Sequence, residues 1–243
     1  MVMLYLDVQE YISKKRLEKR ADEQYDYTQV DAVFMPIFNR FVVDIAYLHQ
    51  SVFDPDHVTA VNYASLGHTI AHEIFHGFDS KGVKYNGDGH LMRVLSEQSE
   101  QSFNSMTQCV VDEYSRFNMT DSDGKAYNID GRQTILENLS DLGGMAAVYD
   151  AFMNDPDSKK PIPWTPKLKG LTNEQLFFVS FARLWCKAHT EDEFLQPFDD
   201  VHSPNRFRIL GVLRNFVPFR NAFKCPVNSE YAPEKHCNVY TPQ

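Results

Sequence analysis

His72-Glu73-Ile74-Phe75-His76 sets two imidazoles four residues apart, with a carboxylate directly after the first. On a helix, residues four apart share a face, so His72 and His76 can grip one metal ion. Neutral imidazole suits Zn²⁺, and three protein ligands with a fourth position for water make a catalytic site rather than a structural one. Glu73 is then placed to take a proton from that water. The plain alternative is a surface helix that happens to carry two histidines. Leu66, Ile70 and Ile74 recur every four residues, a helical apolar stripe that supports the metal reading.

A third ligand has to come from another element, and the best candidate lies in Glu137-Asn138-Leu139-Ser140-Asp141. Ile135, Leu139, Leu142, Ala146, Tyr149 and Met153 trace a long amphipathic helix, with Glu137 and Asp141 on a different face. Glu137 can reach the metal, and Asp141, one turn on, can accept the spare ring N–H of a zinc histidine. Thr134 and Glu137 also fit a capping box, in which Glu137 would only tie off backbone donors. Both readings of Glu137 stand at this level.

Other elements have to position these groups. Val30 to Leu48, rich in Val, Phe and Ile around Asn39-Arg40, predicts two strands and a connection beside the cleft. After Asp54-Pro55-Asp56 the zinc helix runs to Gly77, and Asp79 to Gly89 reads as a turn-rich loop or tight hairpin. Ser96 caps a helix from Glu97 to Phe117 whose Phe103, Met106, Val110, Tyr114 and Phe117 side is core. Asp121 to Gly124 is a loop, and Pro156 to Pro166 is a surface connection open to proteolytic nicking. Thr172 and Gln175 form a capping box opening a helix over Leu176 to Lys187, and Ser203-Pro204 starts another with Pro at its first position. Glu10 to Gln24 is a charge-rich helix or linker.

With 243 residues and 43% hydrophobic content the chain can build one large core or two small ones. A net charge of -9 and the lack of a basic stripe exclude nucleic acid as a partner. No apolar run approaches the roughly 20 residues that span a bilayer, and Met1 to Leu6 is too short for a signal-peptide core. Composition alone therefore reads as soluble and cytoplasmic. Asn118-Met119-Thr120 is a sequon for an N-glycan at Asn118; Asn138-Leu139-Ser140 also fits but sits beside a candidate ligand. His68, one turn before His72, is expected as an outer or surface histidine.

Four ordered blocks, His72–Asp79 (HEIFHGFD), Glu137–Asp141 (ENLSD), Asp200–Pro204 (DVHSP) and Phe207–Gly211 (FRILG), resemble the neprilysin and endothelin-converting-enzyme family of zinc peptidases. Leu176-Phe177-Phe178, Trp185-Cys186 and Cys237-Asn238-Val239-Tyr240 extend the resemblance from about Val30 to the end. It implies an α+β, mainly helical, thermolysin-like zincin catalytic domain over residues 30–243 with a small edge sheet. Residues 1–29 would be a helical or linker remnant of an upstream region, and the family's N-terminal lobe would be a missing partner. One Zn²⁺ per chain would sit on His72, His76 and Glu137. Glu73, His202 and Asp141 would be the catalytic set, His202 donating to the oxyanion, and Arg208 would hold a peptide carbonyl. Asp79 is a candidate partner for a zinc histidine.

The family's Asn-Ala pair on the edge strand is matched here by Asp31-Ala32. An ionised Asp accepts hydrogen bonds but donates none, which puts substrate anchoring and any preference for a free C-terminal carboxylate in doubt. The resemblance also implies a Cys109–Cys237 disulfide, leaves Cys186 and Cys225 without their upstream partners, and puts the protein outside the cell, membrane-tethered or secreted. The function it implies is zinc-dependent endopeptidase hydrolysis of small peptides. Two alternatives are a non-catalytic or weakly active fragment serving as a binding or scaffold protein, and an unrelated cytosolic hydrolase. Without the N-terminal lobe to close the cleft, the chain alone is expected to cleave peptides poorly.

Overall fold

Branched and aromatic residues between Ala32 and Val43 form a hairpin of β1 (Ala32–Met35) and β2 (Arg40–Val43). The antiparallel register pairs Ala32 with Val43 and Met35 with Arg40. Pro36 opens a single 3-10 turn between them, and Asn39, at φ 45, takes the left-handed conformation that a short polar side chain tolerates. Asn39 Nδ2 donates to Gly87 O at 3.1 Å, tying this edge sheet to the loop that follows the site helix. The computed structural model describes Lys14 and residues 29–162, 170–187 and 200–240. The rest of the expected Glu10–Gln24 segment and Pro163 to Pro166 lie outside the described residues.

The site helix is α1 (Thr59–Asn62), a π-helical turn (Tyr63–Gly67) and α2 (His68–Phe75) in unbroken succession. The segment is helical as the Leu66, Ile70, Ile74 spacing predicts, but that stripe is not its buried side. His68, Thr69, His72 and Glu73 are buried, whereas Ile74 is 42% exposed. His68 is therefore an interior histidine and not a surface one. The π-helical turn leaves no signature in the residue pattern.

Next comes α3 (Glu97–Tyr114), whose Ser96 cap accepts from Ser99 N at 3.2 Å and whose Val110 and Tyr114 are fully buried. Asp121 to Gly124, expected as a plain loop, is the tip of a second hairpin, β3 (Asn118–Thr120) with β4 (Ala126–Asn128). Strands of three residues are too short to leave a readable alternation.

The helix α4 (Ile135–Asn154) departs from its amphipathic expectation. Ile135, Leu139 and Leu142 are buried, but so are Glu137, Asn138, Ser140 and Asp141; farther along, Phe152 is buried and Met153 faces out. Its first half runs through the middle of the molecule against α2. Gly143 and Gly144 permit that approach: a Cβ on Gly143 would lie 2.1 Å from the Phe75 ring, and one on Gly144 2.9 Å from His72 N. Two glycines inside a helix cost about 1 kcal/mol each relative to Ala, offset here by the contact they allow.

Thr172 and Gln175 form the predicted capping box of α5 (Asn173–Leu184), which stops three residues short of the expected Lys187. Its Phe177 stacks on Phe152 at 5.0 Å, and Phe178 and Phe181 fill the same core. Pro204 is the N-cap of α6 (Asn205–Arg214) rather than its first residue, and α7 (Val217–Phe223) follows. Cys109 and Cys237 are disulfide-bonded, as the resemblance implies, and Cys186 and Cys225 are free. The whole is a mainly helical α+β fold. No helix among the described residues is long and apolar enough to cross a membrane.

Candidate metal centre and catalytic cleft

Four residues of helix bring His72 and His76 on to one face of α2, with His72 Nε2 and His76 Nε2 3.0 Å apart. Glu137 enters from α4, its Oε2 3.2 Å from His72 Nε2 and 3.4 Å from His76 Nε2. The ligand atoms of these three residues all fall within 4.8 Å of one another. Thr134 does not cap α4 with its side chain, so the capping-box reading of Glu137 is set aside.

The far side of each imidazole is held by a carboxylate. His72 Nδ1 lies 2.8 Å from Asp141 Oδ1, and His76 Nδ1 lies 2.8 Å from Asp79 Oδ2 and 3.0 Å from Ser140 Oγ. Such partners fix the proton on Nδ1 and turn the Nε2 lone pair toward the centre. Glu137 Oε2 points at the same spot, buried and with no hydrogen bond of acceptable direction. Two nitrogen lone pairs and a carboxylate oxygen aimed at one point repel each other unless a cation stands between them, and nitrogen–oxygen donors in that number fit Zn²⁺.

The electrostatics agree. Burial opposes protonation of His76, but the hydrogen bond to Asp79 and the nearby Glu137 carboxylate win and push it up to about 10. Burial likewise works to raise Glu137, but the imidazoles of His202, His72 and His76 hold it far below the carboxylate range. The centre thus attracts positive charge, proton or metal. Glu73, beside His72, moves the other way: burial raises its carboxyl.

Asp141 is fully buried between an imidazole and a guanidinium. Besides His72 it takes a two-point bond from Arg208, Nε to Oδ2 at 2.7 Å and Nη2 to Oδ1 at 2.6 Å. Burial raises the Asp141 carboxyl, but Arg208 and His72 overcome it and hold the group well below its usual range. The Arg208 guanidinium also lies 3.8 Å over the Trp185 ring. Spacing of 67 residues gave no hint of the Asp141–Arg208 pair, and the Trp185 contact likewise has no sequence signal. Behind His72, His68 packs 4.7 Å from Phe181, and burial pushes its ring down to about 4, so it is neutral.

Asp79 also shapes the backbone. Its Oδ1 accepts from Lys81 N and Gly82 N, both at 2.7 Å, which turns the chain away after α2. The turn-rich loop expected from Asp79 is present, but sequence reasoning gave the Asp79 side chain no part in making it and missed the Ser140 contact. His202 stands at the lip, its side chain 43% exposed and its Nε2 3.1 Å from Glu137 Oε2. The Glu137 bond raises its pKa, and Asp200 Oδ1 accepts from His202 Nδ1 at 2.8 Å. A cleft of about 300 Å³ joins His72, Glu73, His76, Glu137 and His202 to a wall that includes Asp31, Ala32 and Phe34. Arg208 is not on that wall. Asp31 Oδ1 accepts from the Ala32 N–H at 2.8 Å.

Residues 31–239 match the model of peptidase family M13. The endothelin-converting enzyme homolog of Locusta migratoria is 35% identical over 97% of this chain and 32% of its own length. Neprilysin of Oryctolagus cuniculus is 35% identical over 93% of this chain and 30% of its own. Among solved structures, the inhibitor complex of the zinc metalloprotease ZMP1 of Mycobacterium tuberculosis superposes with a TM-score of 0.76 at 30% identity, over 90% of this chain and 33% of that one. The chain spans about a third of the length of the relatives it matches.

Proposed function

The chain belongs to peptidase family M13, and from that membership and the geometry of the centre we propose that residues 30–243 are the catalytic domain of a zinc-dependent metalloendopeptidase acting on small peptides. The observation that carries this reading is the convergence of His72 Nε2, His76 Nε2 and Glu137 Oε2 on one point beside Glu73. One zinc per chain would be held there. When bound, it polarises the scissile carbonyl and acidifies the attacking water. Glu73, in its partly dehydrated niche, takes the water's proton and returns it to the leaving amine. His202, at the lip, donates to the oxygen on which charge develops.

Arg208, with Nε and Nη2 engaged by Asp141, stands behind the cleft wall, so its contribution is to brace the carboxylate that holds His72. Asp141 acts by holding His72 and Arg208 in place. Among the described residues the edge of β1 away from β2 carries no strand, and with Asp31 and Ala32 it suits an extended peptide added strand to strand. The Cys109–Cys237 bridge supports an oxidising compartment, so our reading puts the protein outside the cell, at the plasma membrane or secreted, with a glycan at the exposed Asn118. A second reading, a weakly active fragment that needs a further lobe, is favoured by exposed Ile37, Ile45 and Leu91 and by the free Cys186.

Metal analysis with turnover of a fluorogenic peptide tests both. Glu137→Val should lose zinc and activity together, whereas Glu73→Gln should keep one zinc and lose at least about a hundredfold in rate. His202→Phe should keep zinc and lose about 10² to 10³ in turnover. Full zinc occupancy in Glu137→Val would sink the ligand set. A zinc-loaded parent that cleaves only when upstream sequence is restored would favour the second reading.

A further inference from the structure

A buried polar relay ties the loop of His202 to the helix that carries Glu137. Ser203 Oγ donates to Asn138 Oδ1 at 2.8 Å, Asn138 Nδ2 donates to Thr134 Oγ1 at 2.9 Å, and Thr134 Oγ1 donates to Asp130 O at 3.0 Å. All three side chains are buried, Asn138 completely. The relay runs in one sense, because Thr134 Oγ1 accepts on one side and gives its only proton on the other.

The place of these residues in the chain is what matters. Asn138 follows Glu137, and Ser203 follows His202, so one hydrogen bond joins the backbone of the third ligand to that of the lip histidine. A second, exposed tether holds the same loop: Gln133 Nε2 donates to Asp200 O at 2.8 Å. Asp200 Oδ1 in turn accepts from His202 N at 2.9 Å and lies 2.8 Å from His202 Nδ1. With 43% of its side chain exposed, His202 owes its position to these anchors rather than to packing.

We propose that Asn138 and Ser203 are positioning residues whose hydrogen bond sets the His202 imidazole over the metal centre, at 3.1 Å from Glu137 Oε2. The inference deepens the peptidase reading and rests on it for the role of His202. Without the Ser203 hydroxyl, Asn138 Oδ1 is left buried without its donor and the loop is free to turn. A donor displaced by about 1 Å fails the transition state more than the ground state, so kcat falls while KM holds.

The test compares the zinc-loaded parent chain with Ser203→Ala and Ser203→Thr. Imidazole ¹H–¹⁵N NMR, with the His202 signal assigned through His202→Phe, reads the position of the ring independently of activity. Ser203→Ala should move or broaden that signal, keep one zinc per chain, and lower kcat about tenfold with KM within about twofold. Ser203→Thr, which retains the hydroxyl, should restore both readouts. An unmoved His202 signal in Ser203→Ala overturns the proposal, as does a Thr variant that fails as the Ala variant does at equal melting temperature. If Ser203→Ala does not fold, Ser203→Cys, nearly the same size but only a weak donor to Asn138 Oδ1, decides: a moved His202 signal supports the proposal, an unmoved one overturns it. A parent that cleaves no peptide, alone or with upstream sequence added, would sink the peptidase reading alone, since the spectrum still decides the positioning.

Discussion

The seam between α2 and α4 and the surface around the β1–β2 hairpin are built on opposite terms. In the seam the buried groups are polar and answered from within: Asp141 meets His72 and Arg208, and Asp79 meets His76, Lys81 and Gly82. Around the hairpin large apolar side chains stand open among the polar ones, with Ile45 82% and Leu91 70% exposed and Ile37 and Phe78 beside them in kind. Directional bonds fix positions to tenths of an ångström, whereas apolar surface asks only to be covered. Ligand geometry is thus intrinsic to two helices, whereas the hairpin side of the cleft carries apolar surface that the described residues leave open.

The largest break in this contrast should come from Asp141→Asn. The amide keeps the shape but leaves Arg208 buried without its counter-charge, at a cost of about 3–5 kcal/mol in urea unfolding of zinc-free protein. A loss under about 1 kcal/mol would show the seam to be less determined than its bonds suggest. A smaller effect should come from His68. Its folded pKa of about 4 lies below the ordinary 6.5, so the unfolded chain binds the extra proton between those values. Stability from this group is therefore complete above pH 6.5 and lost as pH falls toward 4, a slope that His68→Gln should flatten. Equal pH slopes in parent and variant would remove His68 from the account. The smallest effect belongs to the other region: Ile45→Lys should change stability by less than about 0.5 kcal/mol while reducing aggregation in light scattering. A core-like loss there would mean that the hairpin surface is packed after all.

The seam was legible in part. His72, His76, Glu137 and Asp141 stood out because metal chemistry restricts residue type and helical spacing restricts position. The burial of the first half of α4 on nearly all sides did not, since polar residues that bond one another inside look, in one dimension, like a solvated face. Gly143-Gly144 held a usable signal: adjacent glycines in a strong helical pattern cost enough to demand a close approach. The capping box at Thr172 and the Asn39 turn could be read because their physics is local. The Arg208–Asp141 pair and the β3–β4 hairpin could not, one depending on distant chain and the other too short to show a period.

The disulfide divides the site by connectivity. Cys109 and Cys237 close a covalent ring with 128 residues of separation, which contains Glu137, Asp141, His202 and Arg208 but neither His72 nor His76. A metal bound at the centre is then a cross-link between ring and tail, added to the hydrogen bonds and packing that already join α2 to α4. A protease cut near Pro156–Lys159 falls within the ring and leaves the pieces one molecule until a reductant is added. A cut between Gly77 and Ser96 falls outside it and leaves the two histidines with no covalent tie to the carboxylates and guanidinium they work beside.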